Sequence, residues 1–272
     1  MSSAIAVAGL NGEVICLDKG NYGSGPIITQ SVTISCGDGL WENNGGGAVI
    51  INAPGGANVY IEGLVADGMG STSGSAIGFN GQGTLHLHRV RVGNRAGATG
   101  EGLSFLPSSG VGILHVSDSI FYSNTAKGIA IRPGASASAQ AHIRNTIFER
   151  NGQGVHADGS TSTLGVLVNI DDSVFSGNSG NGVVAFSSAS KAPVQVAIKS
   201  SKISGNFGAG LLAQGAAASG AGSAQIAVGG SMITGNWVGL SPVAPALIIS
   251  HGNNQLFANI STGAFSGNIG LQ

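Results

Sequence analysis

The sequence predicts an all-β, single-domain parallel β-helix, a solenoid of roughly nine or ten three-stranded rungs. Three observations predict it. The first is a string of an apolar pair, two further residues and Asn. It recurs as Ile120-Phe121-Tyr122-Ser123-Asn124, Ile147-Phe148-Glu149-Arg150-Asn151 and Val174-Phe175-Ser176-Gly177-Asn178, with weaker copies ending at Asn206, Asn236 and Asn259. The spacing is roughly 23 to 30 residues, within the range of solenoid repeats. The second is a Gly-apolar-any-apolar segment after the Asn, as in Gly128-Ile129-Ala130-Ile131 and Gly154-Val155-His156-Ala157. Its period of two marks a strand. The third is composition: of 272 residues 48 are Gly and 8% are charged, and mean hydropathy is +0.28. Stacked inward-facing Val, Ile, Leu and Phe account for the low charge.

The elements follow in order. Residues 2 to 10 read as a short helical plug, giving an N-terminal cap over 1–11, the β-helix over 12–260 and a closing tail over 261–272. Within each repeat a third alternating segment completes a triangular rung, at Leu85 to His88, Ile113 to Ser117, Gln140 to Arg144, Val166 to Asp171, Val194 to Lys199 and Ala224 to Val228. Rungs stack about 4.8 Å apart, so equivalent side chains form columns. The column Asn124, Asn151, Asn178, Asn206, Asn236 and Asn259 reads as a structural ladder at a rung corner, where Asn tolerates a left-handed bend and its amide bonds the neighbouring rungs. Phe121, Phe148 and Phe175 read as an internal stack.

Net charge is -1 and the cations are scattered, so no electrostatic footprint for nucleic acid is present. No apolar run reaches the roughly 18 residues of a membrane span. Cys16 and Cys36 fit either one disulfide or two buried thiols. The N-terminus lacks a basic segment and reads poorly as a signal peptide, so the chain is either cytoplasmic or begins after a signal.

The stretches Gly12-Glu13-Val14-Ile15-Cys16-Leu17-Asp18 with Tyr22-Gly23, Ser31-Val32-Thr33-Ile34-Ser35-Cys36 and Gly252-Asn253-Asn254 resemble one largely uncharacterised group of bacterial right-handed parallel β-helix repeat proteins, in the pectate-lyase-like superfamily. The resemblance covers residues 12 to 260. It implies a right-handed helix and a secreted or periplasmic protein, although the signal peptide and further Cys-containing segment usual in that group are missing from this sequence. The superfamily includes pectate lyases, polygalacturonases, epimerases, tailspikes and adhesins, so the fold does not select a chemistry.

The superfamily's enzymes place their groove on the outer face of one stacked sheet, equated here with the Gly-apolar-any-apolar strand. Its outward positions include Arg132, His156 and Asp158. His156 and Asp158 lie about 7 Å apart on one strand, with Arg132 near 5 Å from Asp158 on the adjacent rung. The trio reads as a surface salt bridge beside an incidental His, or as a general-base or anion-binding site. Asp158 is the only carboxylate expected on this face, whereas a calcium-dependent lyase needs clustered carboxylates and a glycosidase needs an opposed pair. Asp171-Asp172 reads as a turn. His86, His115 and His142 form a second column whose side chains point parallel and do not converge, so no metal and no cofactor are expected. Trp41, in the insertion Asp38 to Gly47, is the best candidate for an exposed ring that binds sugar.

The reading favoured by these observations is a structural or binding β-helix of unidentified partner, with cell-envelope or extracellular polysaccharide as one candidate association. A carbohydrate-active enzyme, lyase or hydrolase, centred on Arg132, His156 and Asp158 is the alternative. A homo-oligomer formed through an end rung is a third expectation.

Overall fold

The computed structural model describes residues 1–22, 25–37, 41–43, 47–72, 74–215 and 223–270. Gly23, most of the Asp38–Gly47 insertion and Leu271–Gln272 lie outside them. Strands pair in parallel with their equivalents one rung away, giving three sheets of eleven, ten and nine strands. One rung shows the plan: Ser136–Arg144 lies in sheet 1, Ile147–Glu149 in sheet 2 and Gln153–Asp158 in sheet 3. The sheet 1 strands run longer than the alternation alone suggests, because Ser109–Ser117 and Ser136–Arg144 extend N-terminally as a nine-residue register.

The interior is a set of in-register stacks. Phe121, Phe148 and Phe175 are fully buried, with ring centroids 5.4 and 4.7 Å apart and nearly parallel planes. Burying each such side chain stabilises the fold by about 1.5–3 kcal/mol. The recurrent Gly makes room for them. A Cβ on Gly154 would come within 2.4 Å of the Gly182 carbonyl oxygen and 2.6 Å of the Phe175 ring. No larger residue fits there without displacing backbone, so the glycine is required by space.

Two hydrogen-bonded corners hold the rungs in register. Between sheets 2 and 3, each Asn side chain donates from Nδ2 to Oδ1 of the next Asn. The distances are 3.0, 3.2, 2.8, 2.8 and 2.9 Å from Asn124 through to Asn259. The same Oδ1 accepts the backbone N–H of the preceding Asn, as in Asn151 N to Asn178 Oδ1 at 2.9 Å. The left-handed bend lies one residue earlier than expected, at Ser123, Arg150, Gly177, Gly205, Gly235 and Ala258, with φ from 51° to 65°. Asn is therefore selected for its amide, and the backbone bend falls to its neighbour. One rung before Asn124 a fully buried Arg95 takes the place of Asn, its N–H reaching Asn124 Oδ1 and its guanidinium the Gly47 carbonyl at 3.2 Å.

The corner between sheets 1 and 2 carries a ladder of hydroxyls. Thr146 N donates to Ser173 Oγ at 3.2 Å, Ser173 N to Ser201 Oγ at 3.1 Å and Ser201 N to Ser231 Oγ at 3.1 Å. Each serine hydroxyl in turn donates to the carbonyl two residues back, as Ser173 does to Asp171 at 2.8 Å. Asp172 supplies the left-handed bend here, with φ of 48°, in keeping with its reading as a turn.

Cys16 and Cys36 form a disulfide that ties the first two rungs of sheet 1 together. The helix Ser2–Ala8 packs Ile5 against the core at that end. At the other end Gly267–Asn268 adds an eleventh strand to sheet 1, beside Ile249–Ser250. No helix among the described residues is long and apolar enough to cross a membrane.

Candidate functional site

The register places Ser104, Ala130, His156 and Val184 in one outward column of sheet 3, as the sequence predicts. Arg132, however, does not pair with Asp158. Its guanidinium lies 3.0 Å from Glu101 Oε2, and Glu101 Oε1 meets Lys127 Nζ at 3.2 Å. Asp158 instead accepts the backbone N–H of Ser160 at 2.9 Å, closing a local turn. The expectation of a single carboxylate on this face is corrected by Glu101, whose side chain is only 4% exposed.

Glu101 escapes a reading by alternation for a local reason. Glu101 pairs with Lys127 and Leu103 with Ile129, while a Cβ on Gly102 would point at the Phe121 ring. Two consecutive residues, Gly102 and Leu103, thus face the interior, and the strand's in-out parity flips before them. Glu101, Lys127 and Gln153 come to the outer face, beside Ser104, Ala130 and His156.

His156 completes the cluster. Its Nδ1 lies 2.8 Å from Gln153 Oε1, so with that oxygen accepting, Nδ1 carries the hydrogen and Nε2 presents a lone pair. Nε2 is buried and has no hydrogen-bond partner among the described residues. Burial, reinforced by the charges of Lys127 and Arg132 against the opposing pull of Asp158 and Glu101, lowers the His156 pKa to about 4. At neutral pH it is an uncharged acceptor flanked by cations.

Trp41 is not a platform for sugar. It opens the strand Trp41–Glu42, pairs with Gly20 and Leu64 on the neighbouring rungs and is fully buried in the core. Its indole fills the rung interior one inward-facing position before the register that Phe121, Phe148 and Phe175 occupy further along.

The outer face of sheet 1 carries the histidine column. His86 and His115 stack at 4.7 Å and His115 and His142 at 5.2 Å, with planes within 10°. Burial holds His86 below the usual histidine range, and His115 also feels its two histidine neighbours. The rings lie parallel, and among the described residues no group of three or more His, Cys, Asp or Glu is arranged to hold a metal ion.

Further along this column the side chains shrink. His142 is followed in register by Asn169, Ala197 and Ala227, and Asp171 by Lys199 and Gly229. The result is an open groove of about 510 Å³, floored by the small residues and edged by His142, Asn169, Asp171, Lys199, His251 and Asn253. Sequence reasoning placed the groove on sheet 3. The signal available for sheet 1 was the drop in size down one column, together with His251 near the last rungs.

No family model matches the chain, and no curated protein sequence matches it. Among solved structures it is similar to the Azotobacter vinelandii mannuronan C-5 epimerase AlgE4 A-module, at 13% sequence identity and a TM-score of 0.38, over 100% of this chain and 94% of that one. It is also similar to the AlgE6 A-module from the same organism, at 12% identity and a TM-score of 0.37, over 98% and 91% of the two chains. Likeness at this level carries no argument about this chain; the parallel β-helix expected from the repeat is shown by its own strand pairing.

Proposed function

We propose that the protein is a binding β-helix that holds a polysaccharide chain in the groove of sheet 1. The observation that supports this reading is the fall in side-chain size from His142 and Asn169 to Ala197 and Ala227, which opens a polar-edged trough along the helix axis. A trough that follows the axis suits a linear polymer, and imidazole, amide, carboxylate and ammonium groups along its edges match the mixed donors and acceptors of sugar hydroxyls. Asp171 is the only carboxylate among the lining residues. An acid/base glycosidase needs two, so the groove favours binding without cleavage.

Affinity electrophoresis against a panel of soluble polysaccharides tests this. Ala197→Ile with Ala227→Ile fills the trough with residues suited to strands. We expect at least a tenfold loss of retention at an unchanged thermal midpoint, and equal retention by this variant would sink the reading.

The lone pair of His156 favours a second reading, a polysaccharide lyase or glycoside hydrolase centred on sheet 3. An unprotonated base beside Lys127 and Arg132 suits abstraction of a proton next to a carboxylate, whose developing charge the two cations would stabilise. Depolymerisation by the wild type, with unsaturated products for a lyase or new saturated reducing ends for a hydrolase, lost in His156→Gln, is the outcome this reading requires.

A further inference from the structure

The position immediately after the Asn ladder changes character along the helix. Gly152 N donates to the Asn124 carbonyl, Ser179 N to Asn151, Phe207 N to Asn178, Trp237 N to Asn206 and Ile260 N to Asn236, all between 2.8 and 3.0 Å, so these residues form one column. In the last three rungs the small residues give way to Phe207, Trp237 and Ile260, which are 72%, 58% and 74% exposed. Phe79, Phe105, Phe121, Phe148 and Phe175 are all fully buried, so Phe207 and Trp237 are not part of the core stacks.

Two features identify what such a column suits. The backbone of Phe207 and Trp237 is held at consecutive rung positions, about 4.8 Å apart, by hydrogen bonds to the Asn ladder, so the main chain has little conformational entropy left to lose on binding. On their C-terminal side no charged side chain follows: after Lys202 the sequence contains no Lys, Arg, Asp or Glu at all. Gly205 and Gly235 precede each Asn-aromatic pair and Gly208 follows Phe207, leaving the rings to stand clear of the corner. Uncharged, exposed and carried on successive rungs, the two rings suit the apolar faces of successive pyranose rings in a neutral glycan.

We propose that Phe207 and Trp237 form a stacking platform for a neutral polysaccharide running along the corner between sheets 2 and 3. This rests on the polysaccharide-binding reading of the protein but not on the sheet 1 groove, which lies on a different sheet.

Trp41 is buried and Trp237 exposed, so acrylamide quenching of intrinsic fluorescence reports chiefly on Trp237. Soluble starch, a soluble β-glucan, a galactomannan and polygalacturonate are titrated separately. At least one neutral polymer should protect Trp237 saturably, lowering the quenching constant twofold or more, and Phe207→Ala, a change at an exposed position, should weaken that protection at least fivefold with an unchanged melting curve. Protection in the Ala197→Ile, Ala227→Ile variant should equal wild type, which separates failure of the platform from failure of the groove. The proposal is overturned if no neutral polymer protects, if polygalacturonate protects equally, or if protection rises with protein concentration alone. That last result would mean that a second copy covers the column.

Discussion

The outer faces of sheets 1 and 3 are carried by the same rungs, yet they treat charge in opposite ways. On sheet 3, Glu101 is buried beneath Lys127 and Arg132, and His156 is kept neutral among them. On sheet 1, Asp171 and Lys199 stand at the edge of an open groove. The scaffold sets where a side chain points, while the size of its neighbours sets whether water reaches it. A column that keeps long residues on adjacent rungs closes over its charges, and one that falls to Ala and Gly leaves a trough.

Three measurements sharpen or break that contrast. The largest effect is expected for Glu101→Ala, which leaves two adjacent cations without their buried partner. A loss of about 4 kcal/mol in denaturant unfolding is the expected outcome, and a loss below about 1 kcal/mol would show that solvent already screens the cluster.

The second concerns pH. The His156 pKa falls from 6.5 to about 4 on folding, so below pH 6.5 the unfolded chain takes up a proton that the folded chain refuses. Its contribution is complete above pH 6.5 and is lost as the pH falls towards 4, by roughly 3 kcal/mol in all. His156→Gln should flatten the stability profile in that window, and an identical acid slope in the variant would refute the assignment. The smallest effect belongs to sheet 1. Lys199→Ala should change stability by no more than about 0.5 kcal/mol, as for an exposed residue, and a larger loss would mean that the groove edge carries structural load.

What could be read in the sequence depended on how visibly a residue repeats. The Asn column was legible because Asn stands at the same register in rung after rung, and the Phe stack because each Phe precedes it at a fixed distance. The hydroxyl ladder through Ser119, Thr146, Ser173, Ser201 and Ser231 repeats as regularly but hides among the many Ser and Gly of the turns. Glu101 was concealed by the parity flip at Gly102. Trp41 was misplaced because its neighbours resemble a loop, whereas pairing with Gly20 and Leu64 draws it into the core. Arg132, His156 and Asp158 were expected to interact with one another, but Arg132 is drawn to Glu101, Asp158 to the Ser160 N–H and His156 to Gln153.

The Asn ladder also has a direction. From Asn124 to Asn236 every amide donates one hydrogen forward to the next Asn Oδ1 and one back to a carbonyl of the preceding rung, while its own oxygen accepts from the N-terminal side. The hydrogen-bonded side chains therefore run in one sense along the axis and polarise one another. Asn259, the last, keeps the backward bond to Ile233 and gives its other hydrogen to the Phe257 carbonyl of its own rung. The ladder is therefore polar, with unlike ends: at one it is met by the Arg95 N–H inside the solenoid, on rungs that other strands already continue, and at the other a rung laid beyond Asn259 extends it only if it brings an acceptor to that corner.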